Sequence, residues 1–258
     1  MFTSLRDLLD FSVRSVDGEI GQVADFYFDD LSWMLRYLVV KPGGTFAAKR
    51  FLLSPVSLGE PDLSARVLPA LMTHEKIGNS PHLPDEGVIS RQHEEVLHSY
   101  FNWPAYWDPA TPSDQMVAGT AAYPAADMMS DVASQREQQD AEGDSGTGEN
   151  HLRSLKEVLG YEIYARGRRA AGQVVDFIAN DEDWRILYVV ADVGGLLPGK
   201  RVLLSPSWVQ KIEWLDSEMW VDLAGETIRE SPEFNQAMTI DRTYEEQLYQ
   251  HYDKKRDW

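Results

Sequence analysis

The sequence predicts a mainly β protein: two small β-barrels, each with a C-terminal helix, joined by a flexible acidic linker. Three observations carry this. A shift of 151 residues aligns Gly21 through Trp107 with Gly172 through Trp258 without a gap. Each copy holds five or six short β-prone runs separated by turn residues, with few helical stretches, as in a small closed barrel or sandwich. Residues 108–150, between the copies, contain no Phe or Trp and end in a tract rich in Gly, Ser and acidic residues.

The repeat is densest at its start. Nearly half of positions 21–55 are identical to 172–206, including Gly21-Gln22-Val23 with Gly172-Gln173-Val174 and Leu52-Leu53-Ser54-Pro55 with Leu203-Leu204-Ser205-Pro206. A repeat of this length is a duplicated domain rather than a solenoid unit. The expected organisation is a first domain over 1–107, a linker over 108–150 and a second domain over 151–258.

Taken in order, each copy opens with a short helical signal. Ser4 precedes Leu5–Leu9 and Ser154 precedes Leu155–Leu159, each placed to cap the first free amides. Asp17-Gly18 then marks a hairpin turn, and Gly167-Arg168-Arg169 does the same with one more residue, which accounts for the single indel. Val23–Phe28 alternates, with Ala24, Phe26 and Phe28 on one face and Val23, Asp25 and Tyr27 on the other; the second copy sets Val175, Phe177 and Ala179 opposite Val174, Asp176 and Ile178.

The apolar runs Met34–Val40 and Arg185–Ala191 are the next strands. Turns at Gly43-Gly44 and Gly194-Gly195 lead to strands at Arg50–Leu53 and Arg201–Leu204, and further strands are expected near Arg66–Leu68 and Met219–Leu223. Helices over Ser90–Phe101 and Asp241–Tyr252, capped by Ser90 and Asp241, end the copies. The linker cannot bury enough apolar surface to offset the entropy of ordering, apart from a short helix expected near Ala125–Gln138. As a flexible chain it spans on the order of 35 Å.

Charge and composition narrow the function. The net charge of −18 divides as −5 over 1–107, −8 over 108–150 and −5 over 151–258. Neither copy has the basic surplus of a phosphate-backbone binder, so direct nucleic-acid binding is not expected. The absence of cysteine removes disulfides, thiol catalysis and iron–sulfur ligation. No apolar run approaches the roughly 20 residues that span a bilayer, and the first residues lack a signal-peptide pattern. The expectation is a soluble cytoplasmic protein, with peripheral membrane association and homo-oligomerisation left open.

With strands and turns placed, a family resemblance emerges. Tyr188–Pro206, with Gly172–Phe177 before it, resembles the core of a PRC-barrel domain; Leu223–Phe234 and Tyr244–Tyr249 resemble the end of bacterial tandem PRC-barrel proteins. The resemblance covers nearly all of the chain outside 108–150. The first copy departs from the pattern at Phe46-Ala47-Ala48, where the second has Leu197-Pro198-Gly199. The resemblance implies kinship with the cytoplasmic domain of the photosynthetic reaction-centre H subunit, which supports quinone-linked electron and proton transfer. It also implies kinship with the barrel of a ribosome-maturation factor that docks on a ribosomal protein. A shared fold does not by itself transfer function.

Most reactive-looking groups read as structure. Gly194–Lys200 has phosphate-loop spacing, but Arg201 stands where Ser or Thr is needed and a strand follows where a helix is needed. Asp25 and Asp176 read as hydrogen-bonding strand residues. The six histidines form no metal pattern; His93 and His98, five apart, read as solvated helix residues, as do Glu94-Glu95 and Glu245-Glu246. Ser54-Pro55 and Ser205-Pro206 read as strand-end turns.

Two groups are candidate interaction sites. One is the aromatic end Tyr100, Phe101, Trp103, Tyr106 and Trp107, which would otherwise staple the helix to its barrel. The other is basic: Arg166, Arg168 and Arg169, with Lys254, Lys255 and Arg256, suited to an acidic partner or headgroup. The expected function is a non-enzymatic adaptor or regulatory protein. It would use two PRC-barrel modules to bind a protein partner of unknown identity, with no cofactor, metal or catalytic residue. Two alternatives stand beside it: a reaction-centre-H-like accessory protein in photosynthetic electron transfer, and a small-molecule-binding protein.

Overall fold

Short β-prone runs need partners to bury their apolar faces, and in this chain the partner strand is not always the nearest in sequence. The computed structural model describes residues 2–43, 50–82, 89–108, 151–194, 199–236 and 238–255. Two units result. An amino-half unit comprises Leu9–Arg153 with Glu182–Trp184; a carboxy-half unit comprises Met1–Leu8, Ser154–Asp181 and Arg185–Trp258. The units therefore depart from the repeat boundaries at the start of each copy and at one hairpin tip of the second. The 108–150 linker, from residue 109 on, and the Ala125–Gln138 helix lie outside the described residues, as do Phe46-Ala47-Ala48, Leu197-Pro198 and Arg256.

The chain opens with β1 (Phe2–Ser4) and α1 (Leu5–Leu8), both in the carboxy-half unit. The amino-half unit follows with β2 (Ser12–Ser15), β3 (Gly18–Asp29), β4 (Leu35–Pro42), β5 (Phe51–Leu53), β6 (Val67–Pro69), α2 (His74–Gly78) and α3 (Arg91–Phe101). It is completed by β7 (Leu152–Ser154), whose Leu152 and Arg153 belong to it. Its sheet runs β5-β4-β3-β2-β6, with β7 paired to β3; β2 and β6 are parallel and the other registered pairs antiparallel. Phe26, Phe28, Tyr37, Leu38, Phe51 and Leu52 are among its largest fully buried side chains.

The carboxy-half unit adds α4 (Leu155–Val158), β8 (Glu162–Ala165), β9 (Arg169–Asn180), β10 (Ile186–Asp192), β11 (Arg201–Leu204), β12 (Val209–Glu213), β13 (Glu218–Val221), α5 (Gly225–Glu230) and α6 (Arg242–His251). Its sheet runs β11-β10-β9-β8-β13-β12, with β1 paired antiparallel to β9 through Phe2↔Asn180, Thr3↔Ala179 and Ser4↔Ile178. The mainly β expectation holds. Closure does not: among the described residues no pairing joins β5 to β6, or β11 to β12, so these are open mixed sheets. In the amino-half unit the stretch equivalent to β12 contributes only isolated bridges, Leu58↔Ala70 and Asp62↔Val67.

The alternation expected of Val23–Phe28 is broken by a register shift between Val23 and Asp25. The extra residue turns Val23 inward beside buried Phe26 and Phe28 and leaves Ala24 half-buried. The second copy shifts between Val190 and Ala191 opposite Val174, burying Val174 and leaving Val175 half-buried. The repeated glycine just before each shift is needed for close approach. A Cβ at Gly21 would lie 2.2 Å from the Lys41 carbonyl oxygen, and one at Gly172 would lie 2.4 Å from that of Asp192.

The four expected serine and aspartate caps are formed. Ser4 and Ser154 accept from Asp7 and Glu157 amides, Ser90 from His93 and Asp241 from Tyr244. Asp176 is 2% exposed and serves β1. It accepts from Ser4 Oγ at 2.5 Å, from the Arg6 amide at 3.0 Å and from the Phe177 amide at 2.7 Å.

Candidate functional site

On α3 the buried residues are Glu94, Leu97, His98 and Phe101, at i, i+3, i+4 and i+7. The helix therefore lays two polar side chains as well as two apolar ones against the sheet. Glu94 is fully buried and His98 nearly so, which corrects the reading of both as solvated helix residues. Their burial is tolerated because β4 presents a hydroxyl beneath them. Tyr37 Oη lies 2.8 Å from Glu94 Oε1 and 2.8 Å from His98 Nε2.

The segment after α3 closes the cluster. Asn102 takes the left-handed conformation (φ 60°) and its amide donates to the His98 carbonyl, ending the helix. The chain then doubles back so that His98 Nδ1 stands 2.9 Å from the Pro104 carbonyl and Tyr106 Oη donates to Glu94 Oε1 at 2.5 Å. Arg91 pairs with Glu94 Oε2 at 2.8 Å. The Arg36 guanidinium lies 3.9 Å from the Tyr106 ring centroid and that of Arg91 lies 4.4 Å from the Trp107 ring.

Burial sets the electrostatics. It raises Glu94 above the ordinary carboxyl value, against the hydrogen bonds from Tyr106 and Tyr37 and the nearby Arg91. It pushes His98 down to about 4, against its contact with the Pro104 carbonyl. It also pushes the Tyr37 and Tyr106 hydroxyls up, reinforced by the Glu94 charge.

The structure gathers most of the aromatic end here. Trp103, Tyr106 and Trp107 ring His98, with centroids 5.6, 5.9 and 4.6 Å from the imidazole. Phe101 is buried and stacks on Trp103 at 4.3 Å. Tyr100 is partly exposed and donates to the Lys76 carbonyl. Of these residues Tyr106 reaches the sheet, through Arg36 of β4, while Trp103 and Trp107 pack on α3 and Tyr100 bonds to α2. The carboxy-half unit keeps part of the arrangement: Tyr188 donates to Glu245 at 2.6 Å, but the equivalent of His98 is Tyr249, whose ring packs edge-on to Trp208.

The basic candidates lie elsewhere, on the carboxy-half unit. Arg166 pairs with Asp222 at 2.5 Å, and Arg169 begins β9 as an exposed residue. Arg168, left-handed at φ 58°, reaches over the Trp220 ring at 5.8 Å. Trp220 stacks on its cross-strand partner Tyr164 at 5.0 Å, and Lys211 stands 5.2 Å from the Trp220 ring. The ring tips are held by neighbouring carboxylates: Trp220 Nε1 donates to Glu218 and Tyr164 Oη to Glu162.

The same cross-strand position in the amino-half unit holds Arg14 and Pro69. They border an open groove of about 290 Å³, edged by the exposed Val16 and Leu71. Sequence reasoning missed Trp220 and Tyr164, although their strands alternate and parallel pairing brings them face to face. Lys200, at the end of the phosphate-loop lookalike that the sequence already argues against, donates to the Arg229 carbonyl. No helix among the described residues is long and apolar enough to cross a membrane. Comparison with family models and with curated proteins finds no match for this chain.

Proposed function

We propose that the protein is a non-enzymatic adaptor of PRC-barrel type that docks a protein partner through the Tyr164–Trp220 face of its carboxy-half unit. The observation that carries this is the braced aromatic pair. Two large rings are stacked, half-buried and held at their polar tips, with Arg168 and Lys211 over the Trp220 ring. Tyr, Trp and Arg dominate binding hot spots, and rings already fixed in place lose little entropy on docking. The equivalent face of the amino-half unit, with Arg14 and Pro69, has no such pair, so the two copies offer different surfaces. On this proposal the open sheets are variants of the barrel that the sequence resembles.

The test is capture by the full chain against a Tyr164→Ala/Trp220→Ala double variant that retains wild-type circular dichroism. At least one partner retained by the wild type should be lost, with affinity falling tenfold or more for a hot-spot pair. Identical partner sets at identical strength would overturn the proposal.

A further inference from the structure

The protons in the Glu94–Tyr37–His98 chain can be counted from its contacts. Pro104 offers only a carbonyl, so His98 Nδ1 must carry a proton and donate it. Tyr106 donates its single hydroxyl proton to Glu94 Oε1. Tyr37 has one hydroxyl proton and two neighbours at 2.8 Å, Glu94 Oε1 and His98 Nε2. With Glu94 ionised and His98 neutral, both neighbours are acceptors, and one close contact is left with no hydrogen in it.

One added proton closes the chain in either of two ways. On His98 Nε2, it is donated to Tyr37, and Tyr37 donates to Glu94. On Glu94 Oε1, it is donated to Tyr37, and Tyr37 donates to His98. The two arrangements hold the same number of protons and interconvert by shifts along the chain. A second added proton is opposed by the Arg91 guanidinium, 2.8 Å from the remaining carboxyl oxygen, Oε2, and enters only near the lowered His98 value of about 4.

We infer that Glu94, Tyr37 and His98 form a buried one-proton site that clamps α3 and the segment after it onto β4. The charged and titratable groups facing the site are Arg36 from β4, Arg91 from α3 and Tyr106 from the segment beyond. Burial, which raises Glu94 and lowers His98, favours the arrangement with the proton on the carboxyl.

Above about pH 4 the folded site holds one proton, while the unfolded groups have ordinary values of 4.5 and 6.5. Stability from this site is therefore level between those two ordinary values. It falls only slightly as pH drops from the lower one to about 4, where the folded site takes its second proton. It falls again as pH rises above the upper one, where the folded chain binds more, by about tenfold in the unfolding constant per pH unit. When the folded site finally yields its proton to water, Tyr37 keeps its hydroxyl proton on the ionised Glu94, the stronger acceptor, and the Tyr37–His98 contact separates. The segment bearing Trp103, Tyr106 and Trp107 then loosens from the sheet. This is independent of the docking face on the other unit.

The direct test compares proton release when the full wild-type chain and a Glu94→Gln variant are unfolded by denaturant in unbuffered solution near about pH 8, above the ordinary imidazole value. In the variant the amide nitrogen, set in the place of Oε1, donates to Tyr37 and to Tyr106, whose own hydroxyl proton turns away. Tyr37 donates to neutral His98, so no added proton is needed. Wild type should release one proton more than the variant; equal release would overturn the inference. A second measurement does not depend on the variant folding. In wild-type chain labelled with ¹⁵N-histidine, with a His98→Asn spectrum for assignment, the His98 signals should hold constant from about pH 5 to 8. A His98 titration step near the ordinary imidazole value would overturn it.

Discussion

Tyr37 and Tyr188 occupy the same strand position in the two copies, yet they carry different loads. Tyr37 bridges a fully buried carboxylate and a buried imidazole, whereas Tyr188 meets the half-buried Glu245. Tyr37→Phe strands two buried polar groups and should cost about 2–3 kcal/mol, while Tyr188→Phe should cost about 1 kcal/mol. Denaturant unfolding of the two full-length variants checks this; equal losses would contradict it. The signal for this site was present in the sequence, because Glu94 and His98 fall in helical phase with Leu97 and Phe101. Reading Glu94 against Glu95, and His98 against His93, hid it. What no sequence pattern gives is the turn at Asn102 that brings Pro104 and Tyr106 back over the helix.

At the scale of elements, strand positions and helix caps were legible because alternation, turn residues and capping side chains are local. The register shifts after Gly21 and Gly172 were not, since a bulge depends on the facing strand; only the repeated glycine hints at the close approach it permits. Closure of the sheets was likewise over-read: pairing of end strands is a long-range matter. The seating of β1 shows how far such matters reach. Asp176, on β9, holds the start of the chain through the Ser4 hydroxyl and the Arg6 amide. Asp176→Ala leaves these donors and the Phe177 amide without their acceptor and should cost at least about 2 kcal/mol. Amide exchange in β1 and β9 should rise together in that variant. Faster exchange confined to β9 would separate the aspartate from the seating of β1.

For the whole molecule, the 151-residue shift says which residues are equivalent but not which sheet each strand joins. Phe2–Ser4 and Leu152–Ser154 are equivalent segments of like character. The first pairs with β9 of the second copy and the second with β3 of the first. Local codes that fit either sheet cannot choose between them, so the interleaved units were not legible from the repeat. Function follows the same logic, since what duplication repeats is most simply fold and what differs between copies is open to specialisation. The Tyr164–Trp220 face in one copy, against Arg14 and Pro69 in the other, is the difference on which the adaptor reading rests.

The most direct measurement is site-specific photo-crosslinking in the source cell. A photoreactive phenylalanine analogue would replace Ala170, the exposed cross-strand neighbour of Tyr164 on β9, in the full chain and, as a control, the fully solvent-exposed Leu215 on the turn between β12 and β13. The account predicts a discrete protein adduct from position 170 that is absent from position 215. No adduct at 170, or the same adducts from both positions, would contradict it.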